Sequence, residues 1–359
     1  MAAPRAADPK AVESFVLKAI AAGQGSHAAQ LQRQFGVSLP TAHNYLRSLS
    51  DRGLIVRISR GHYGLATAEH VIEEPVAELA EHDLWEQRIQ PLLAGLPPNA
   101  LAIWHYGCTA MIDNVIDHSE SALIGIRTKR TPLSTTVEVR DYGVGIFRTI
   151  ARALRLGDDR HAVLELAKGK VVTDPANHTG GGIYFSSRAF DGFSILSGSV
   201  YFDRKDGDGE DWLLGEAKPP APIDGTTVFM TLSNATQKRL PDIFDEYATD
   251  PDEYRFDRTV VPVKLLQYGD DPLVSRSQAE RLLTRLDRFK TVLLNFDRVE
   301  SIGQAFADEV FRVFPSHHPD VELIPIGANE QVARMISRGI SGAGRAQDAS
   351  DGTTASQPK

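Results

Sequence analysis

Apolar and polar positions alternate along the first sixty residues with the periods of three helices and a hairpin. Val12, Phe15, Val16, Ala19 and Ile20 recur at three-and-four spacing, which predicts one amphipathic helix ended by Gly23 and Gly25. SHAAQLQRQFGV follows, with Ser26 placed to cap a second helix, Ala28, Leu31 and Phe35 on one face, and Gly36 at the turn. A third helix, from Ser38 to about Asp51, turns Ala42, Tyr45, Leu46 and Leu49 inward. Pro40, Thr41, His43, Asn44 and Arg47 are left on its outer face. Gly53 can close that helix in the left-handed conformation. LIVRISRGHYGLA then reads as two short strands about Gly61, carrying Arg57, Arg60 and His62.

Further along the period changes twice. Residues 71–98 predict a helical connector, mainly Val76 to Leu93, broken by GLPPN. LAIWHYGCTAMIDNVIDHSES predicts a long helix with Ile103, Tyr106, Ala110, Asn114 and Asp117 near one face. ALIGIRTKR and STTVEVRDYG form a strand pair, HTGGGIYFSSRAF a glycine turn opening a helix, and GTTVFMTLS a last strand. From Val260, strands TVVPVKLL, TVLLNF and ELIPIG alternate with helices SRSQAERLLTRLDRF, SIGQAFADEVFRVF and NEQVARMISRGI, a pattern that argues for a largely parallel sheet.

The chain of 359 residues therefore reads as a multidomain α/β protein: 1–70, a connector 71–98, 99–258, 259–340 and a tail 341–359. The tail SGAGRAQDASDGTTASQPK is small and polar, and disorder is expected of it. Apolar residues make up 42% and charged residues 24%, which excludes wholesale disorder, and no apolar run is long enough to cross a bilayer. A charged start and a single cysteine, Cys108, fit a cytoplasmic chain without a signal peptide or an internal disulfide. The net charge of −8 is unevenly spread. Residues 1–70 hold eight basic against four acidic side chains, whereas 71–259 hold 19 against 30, so only the N-terminal part suits a polyanion.

The order helix, helix, turn, helix and basic hairpin makes a winged helix-turn-helix and resembles bacterial winged-helix regulators. The resemblance implies that the third helix enters a DNA major groove while the hairpin touches phosphate. Thr41, His43, Asn44, Arg47, Arg57 and Arg60 are the candidate DNA-binding residues. The same fold also serves as a protein-docking module. A single unit of charge +4 makes few phosphate contacts, so a homodimer on a two-fold site would be needed for tight binding.

The chemistry of the middle unit lies in four separated segments. Asn114 can offer an oxygen to Mg²⁺, and Asp141 can accept from an adenine amino group. Gly143 and Gly145 let backbone lie against a base, and Gly180, Gly181 and Gly182 let N–H groups meet phosphate oxygens. Thr226 can reach a base edge. The sequence DN..DHS, DYGVG, HTGGG, GT resembles the GHKL superfamily of ATP-binding modules over about residues 100–235. That family includes sensor histidine kinases, anti-sigma kinases and gyrase. The resemblance implies an α/β sandwich binding ATP with Mg²⁺, the metal on Asn114, adenine on Asp141, and a phosphate-covering lid between the glycine boxes. Lys168, Lys170 and His178 are the candidate phosphate partners in that segment. Two departures stand out. The position four before the Mg²⁺ Asn, a general-base Glu in the hydrolytic and anti-sigma members, is Ala110, with Asp113, Asp117 and His118 as the nearest substitutes. The place of a phosphoacceptor-His hairpin is taken by the winged helix. Catalytic residues are accordingly not assigned.

RKDGDGEDW, from Arg204 to Trp212, starts like a calcium loop but has Ala217 where the bidentate Glu belongs. The histidines make no HExxH pattern, and no transition metal is expected. In the C-terminal unit, FDRVESIGQAFADEVFRVF with NEQVARMI resembles the STAS-like domains found beside GHKL modules. The resemblance implies a docking surface for a protein partner and a serine phosphoacceptor, Ser301, whose local role would be a capping box with Gln304. Three functions follow as expectations: a cytoplasmic DNA-binding regulator switched by ATP, an anti-sigma-type serine kinase acting on Ser301 or a partner, and an ATPase of a defence or toxin system.

Overall fold

The computed structural model of the chain describes residues 8–23, 26–171, 180–205, 211–216, 223–248, 256–267 and 271–350. Its first unit packs α1 (Pro9–Ala21), α2 (His27–Phe35) and α3 (Leu39–Asp51) against the antiparallel hairpin of β1 (Ile55–Ser59) and β2 (His62–Leu65). Asp8 caps α1 by accepting the Lys10 N–H, and Ser38 caps α3 by accepting that of Thr41. Gly36, Gly53 and Gly61 take the positive φ angles that the turns require. Val12, Val16, Leu31, Leu46 and Ile55 form the centre of a separate small core, as their periodicity predicts.

β3 (Ala68–Pro75) corrects only the start of the expected helical connector, residues 71–75: it pairs antiparallel with β4 and is the edge strand of the large sheet. Its sequence, AEHVIEEP, buries only Ile72, so neither face shows a clear apolar alternation and the pairing is set by β4. α4 (Glu81–Leu84) then opens a helical stretch that loosens through a π turn and ends in a 3₁₀ turn at Leu93, where Pro91 lacks a backbone donor.

α5 (Pro98–His118) is the central helix, followed by β4 (Leu123–Arg130), β5 (Ser134–Asp141), α6 (Ile146–Leu154), α7 (Asp159–Lys168) and α8 (Gly182–Ala189). β6 (Gly192–Gly198), β7 (Val200–Lys205), β8 (Asp211–Glu216) and β9 (Ile223–Ser233) complete a seven-stranded antiparallel sheet ordered β3-β4-β5-β9-β6-β7-β8. Along its strands Ile124, Ile126, Val137, Val139, Phe193, Ile195, Val228 and Met230 alternate inward and are buried. They pack one sheet face on helices that include α5, whose Ile103, Trp104 and Ile112 are also buried.

α9 (Leu240–Glu246) leads to β10 (Arg258–Pro262), α10 (Arg276–Leu283), β11 (Thr291–Asn295), α11 (Gln304–Asp308), α12 (Phe314–His317), β12 (Glu322–Ile326) and α13 (Glu330–Ser350). The sheet β10-β11-β12 is parallel throughout, as the alternation predicts. Two expectations are corrected. The tail expected to be disordered from Ser341 is helical to Ser350, because a formed helix propagates at one hydrogen bond per residue; residues 351–359 lie outside the described ones. Nor does a packing boundary fall at 258–259, since one hydrophobic core joins Trp104, Phe193 and Leu166 to Val261, Leu282 and Phe306.

Candidate functional site

β5 ends at Asp141, beside the C-terminal end of α5 and the GT pair that begins β9. Asp141 is 4% exposed, and its Oδ1 accepts the Gly143 N–H at 2.9 Å. Burial pushes its carboxyl up from 3.8, against the pull of hydrogen bonds from Gly143 and Thr226 and the charge of Arg140. Gly143 cannot be replaced without movement, because a Cβ there would stand 1.7 Å from the Ser119 carbonyl oxygen. That carbonyl accepts the Val144 N–H at 2.9 Å, which fixes the loop on the end of α5. Gly145 has φ +92° and caps α6. Thr226 Oγ1 accepts the Ile146 N–H at 2.9 Å, so DYGVG and the GT pair are one hydrogen-bonded unit.

These segments surround a cavity of about 290 Å³. α5 contributes Tyr106, Ala110, Asp113, Asn114 and His118; β5 contributes Val139 and Asp141; the glycine turn contributes Gly180 and Gly182, and β9 contributes Thr226. Asn114, Asp141, Gly180, Gly182 and Thr226, separated by over a hundred residues, therefore face one space. Asn114 Nδ2 donates to the Ala110 carbonyl at 2.8 Å, which leaves its side-chain oxygen as the group it offers the cavity. Gly181 is not a lining residue; it is the N-cap of α8 and accepts the Phe185 N–H. The first N–H groups of α8 have no intrahelical acceptor, so this end suits an anion. Gly143 and Gly145 shape the loop behind Asp141 and do not line the space themselves.

Other placements differ from expectation. Lys168 is not a cavity residue. Its Nζ is buried and donates to Glu165 Oε1 at 2.6 Å, to the Arg281 carbonyl at 3.0 Å and to the Thr284 carbonyl at 2.9 Å. An ammonium has three donors, and all three are used. Lys170 likewise donates to the Arg288 carbonyl, and His178 lies outside the described residues. Of the three substitutes for the missing Glu, Asp113 and His118 line the cavity, whereas Asp117 is exposed. Ala110 stands against the glycine turn: a Cβ on Gly182 would lie 3.2 Å from its own. Sequence reasoning missed the apolar wall of Ile146, Ile150, Leu166, Val171, Ile183 and Val228, since such residues carry no signal beyond that of a core. Among the described residues, no group of three His, Cys, Asp or Glu side chains is placed to hold a metal ion.

On the first unit, Thr41, His43, Asn44 and Arg47 share the outer face of α3, and Arg57 and Arg60 project from the hairpin, all exposed. Ser301 corrects the capping-box expectation. The cap of α11 is Gly303, and Ser301 sits half-buried two residues upstream. A Cβ at Gly303 would be 2.8 Å from the Val274 Cα, so glycine takes the cap where strand-bridging residues crowd the turn. The calcium-like loop at 206–210 lies outside the described residues. No helix is long and apolar enough to cross a membrane among the described residues.

Two families match parts of the chain. The IclR helix-turn-helix domain matches residues 15–59, and the STAS-like domain of unknown function (DUF4325) matches residues 278–333. Neither match reaches the unit that holds the cavity. No curated protein matches the chain.

Proposed function

We propose that the protein is an ATP-responsive DNA-binding regulator in which the winged helix contacts DNA, the central unit is a GHKL-type nucleotide switch, and the STAS-like unit docks a protein partner. The observation that carries the switch is the convergence of Asn114, Asp141, Gly180, Gly182 and Thr226 on one cavity. The DNA-binding part rests on the IclR-type helix-turn-helix and on the exposed polar face of α3.

The residues present fit the group. Asp141 is a buried acceptor already preorganised by Gly143 and Thr226, suited to a base amino group; the apolar wall suits the ring; and the glycine turn at α8 suits phosphates. Mg²⁺ commonly keeps substrate phosphates and water as most of its ligands, so one Asn oxygen is a sufficient protein contribution. When bound, Mg²⁺–ATP would supply a metal ion and a concentrated negative charge to this cavity. Asn114 would orient the metal, Asp141 would set the base, and the α8 end would hold the anion. Because α5 and α8 meet at Ala110 and Gly182, occupancy would bias how they pack and so shift the DNA-competent population.

Calorimetric titration of Mg²⁺–ATP tests the site. Wild type should bind, and Asn114→Ala and Asp141→Asn should each weaken binding by about 2 kcal/mol, roughly thirtyfold in Kd. Equal binding by all three proteins would remove the assignment. DNA affinity measured with and without ATP tests the coupling separately. A turnover reading has one observation in its favour, the presence of Asp113 and His118 in the cavity. Label from γ-labelled ATP appearing on Ser301, on a partner or as free phosphate would favour the kinase or ATPase over the switch.

A further inference from the structure

Residues 165–170 serve two neighbours at once. Toward the central unit, Leu166 and, one residue past the stretch, Val171 wall the cavity. Toward the C-terminal unit, nearly every polar group of the stretch is held. Lys168 Nζ binds the carbonyls of Arg281, in the last turn of α10, and of Thr284, its C-cap, so its charge caps that helix from another unit. The Lys168 carbonyl accepts the Thr259 hydroxyl at 2.7 Å. Glu165 Oε2 lies 3.5 Å from Arg285, and Arg285 also donates to the Lys170 carbonyl. Lys170 Nζ lies 4.4 Å above the Phe289 ring. Thr259, Arg281, Thr284, Arg285 and Phe289 line none of the cavity; Thr259 and Arg285 hold the backbone of the stretch, the others its lysine side chains, and Thr259 also bonds the hydroxyl of Tyr184, a lining residue.

We propose that the C-terminal unit positions the wall of the central cavity, with Thr259 and Arg285 as positioning residues that act through the Leu166–Val171 segment, and that a nucleotide bound there in turn steadies the end of α10. This rests on the nucleotide reading above and adds its regulation: the STAS-like unit is an intramolecular partner of the pocket, and whatever docks on it changes nucleotide affinity. Linkage makes the effect reciprocal, since a contact that changes affinity must itself be changed by occupancy.

Two measurements on the full chain test it. Mg²⁺–ATP is titrated into wild type, Thr259→Val and Arg285→Gln, each checked for native circular dichroism. Roughly five- to tenfold weaker binding is expected in both variants, within the usual range for coupled sites, although neither residue can touch the ligand. Hydrogen exchange on wild type, which needs no variant, should slow across residues 276–289 at saturating ATP. A residue that only adds stability would lower the melting temperature and leave both readouts alone. Wild-type affinity in the folded variants, or unchanged exchange at 276–289 while 139–150 become protected, overturns the inference and leaves the nucleotide site standing. No binding of Mg²⁺–ATP to wild type overturns both.

Discussion

Asp141 holds a carboxylate where water hardly reaches, and that tension is informative. Its raised titration means the folded chain binds a proton there more tightly than the unfolded chain does. The ionised form therefore opposes folding at neutral pH, and acidification through the window just above 3.8 relieves it. Asp141→Asn should consequently leave the thermal midpoint unchanged or raise it, since Asn can still accept from Gly143 and Thr226, while the proposed nucleotide binding weakens roughly thirtyfold. A fall of several degrees would show that the carboxylate is a structural anchor instead. The same sign predicts that nucleotide affinity drops as pH falls through that window, because a protonated Asp141 no longer offers two acceptors to a base. Gly143 fails differently: Gly143→Ala drives a methyl into the Ser119 carbonyl, and loss of both stability and binding is expected. That Asn114, Asp141, Gly180, Gly182 and Thr226 face one space was readable in sequence from residue type and order. Other directions were less readable. Lys168, expected at the phosphates, is turned instead to the end of α10, because its partners Arg281 and Thr284 are distant in sequence.

At the scale of elements, local sequence sufficed wherever a period or a cap decides the outcome. α1, α2, α3, α5 and the β1–β2 hairpin begin and end near the expected residues. β3 and the cap of α11 were hidden because a non-local partner decides them: β4 recruits the polar edge strand, and Val274 forces glycine into the cap. α2 also carries an acid-sensitive element. His27 is buried with neither ring nitrogen bonded, edge-on to Tyr63, and burial with the nearby charge of His62 lowers its titration below 6.5. The unfolded chain thus binds the proton more readily, so the winged-helix unit is stable above pH 6.5 and loses that stability as pH falls below it. His27→Phe should flatten this dependence, measured by thermal melts between pH 5 and pH 7.5; an unchanged slope would place the sensitivity elsewhere. The basic hairpin has a separate signature. Arg57→Gln with Arg60→Gln should reduce the slope of log affinity against log salt by about 2 without altering DNA sequence preference.

For the molecule as a whole, packing divides the chain differently from composition. Charge and periodicity suggest three globular units, yet among the described residues two hydrophobic cores of that size form, one in the winged helix and one running through the central and C-terminal sheets. Differential scanning calorimetry should show two transitions. The pivot of the larger one is Lys168, whose ammonium lies in the seam with Glu165 as its charge partner. Burial lowers the Lys168 titration, and the Glu165 charge holds it up, so either charge left without the other destabilises the seam. Glu165→Ala strands the ammonium among carbonyls and leaves Arg285 without its nearest carboxylate. A loss of roughly 3–5 kcal/mol is expected, against a much smaller loss for Lys168→Met with Glu165→Leu, which removes both charges and keeps the volume. Chemical denaturation of the two proteins decides the point. If the double variant is as unstable as Glu165→Ala, the seam depends on the geometry of its hydrogen bonds to Arg281 and Thr284 more than on charge balance. The α10 end would then unfold first in either case, as native-state hydrogen exchange can show.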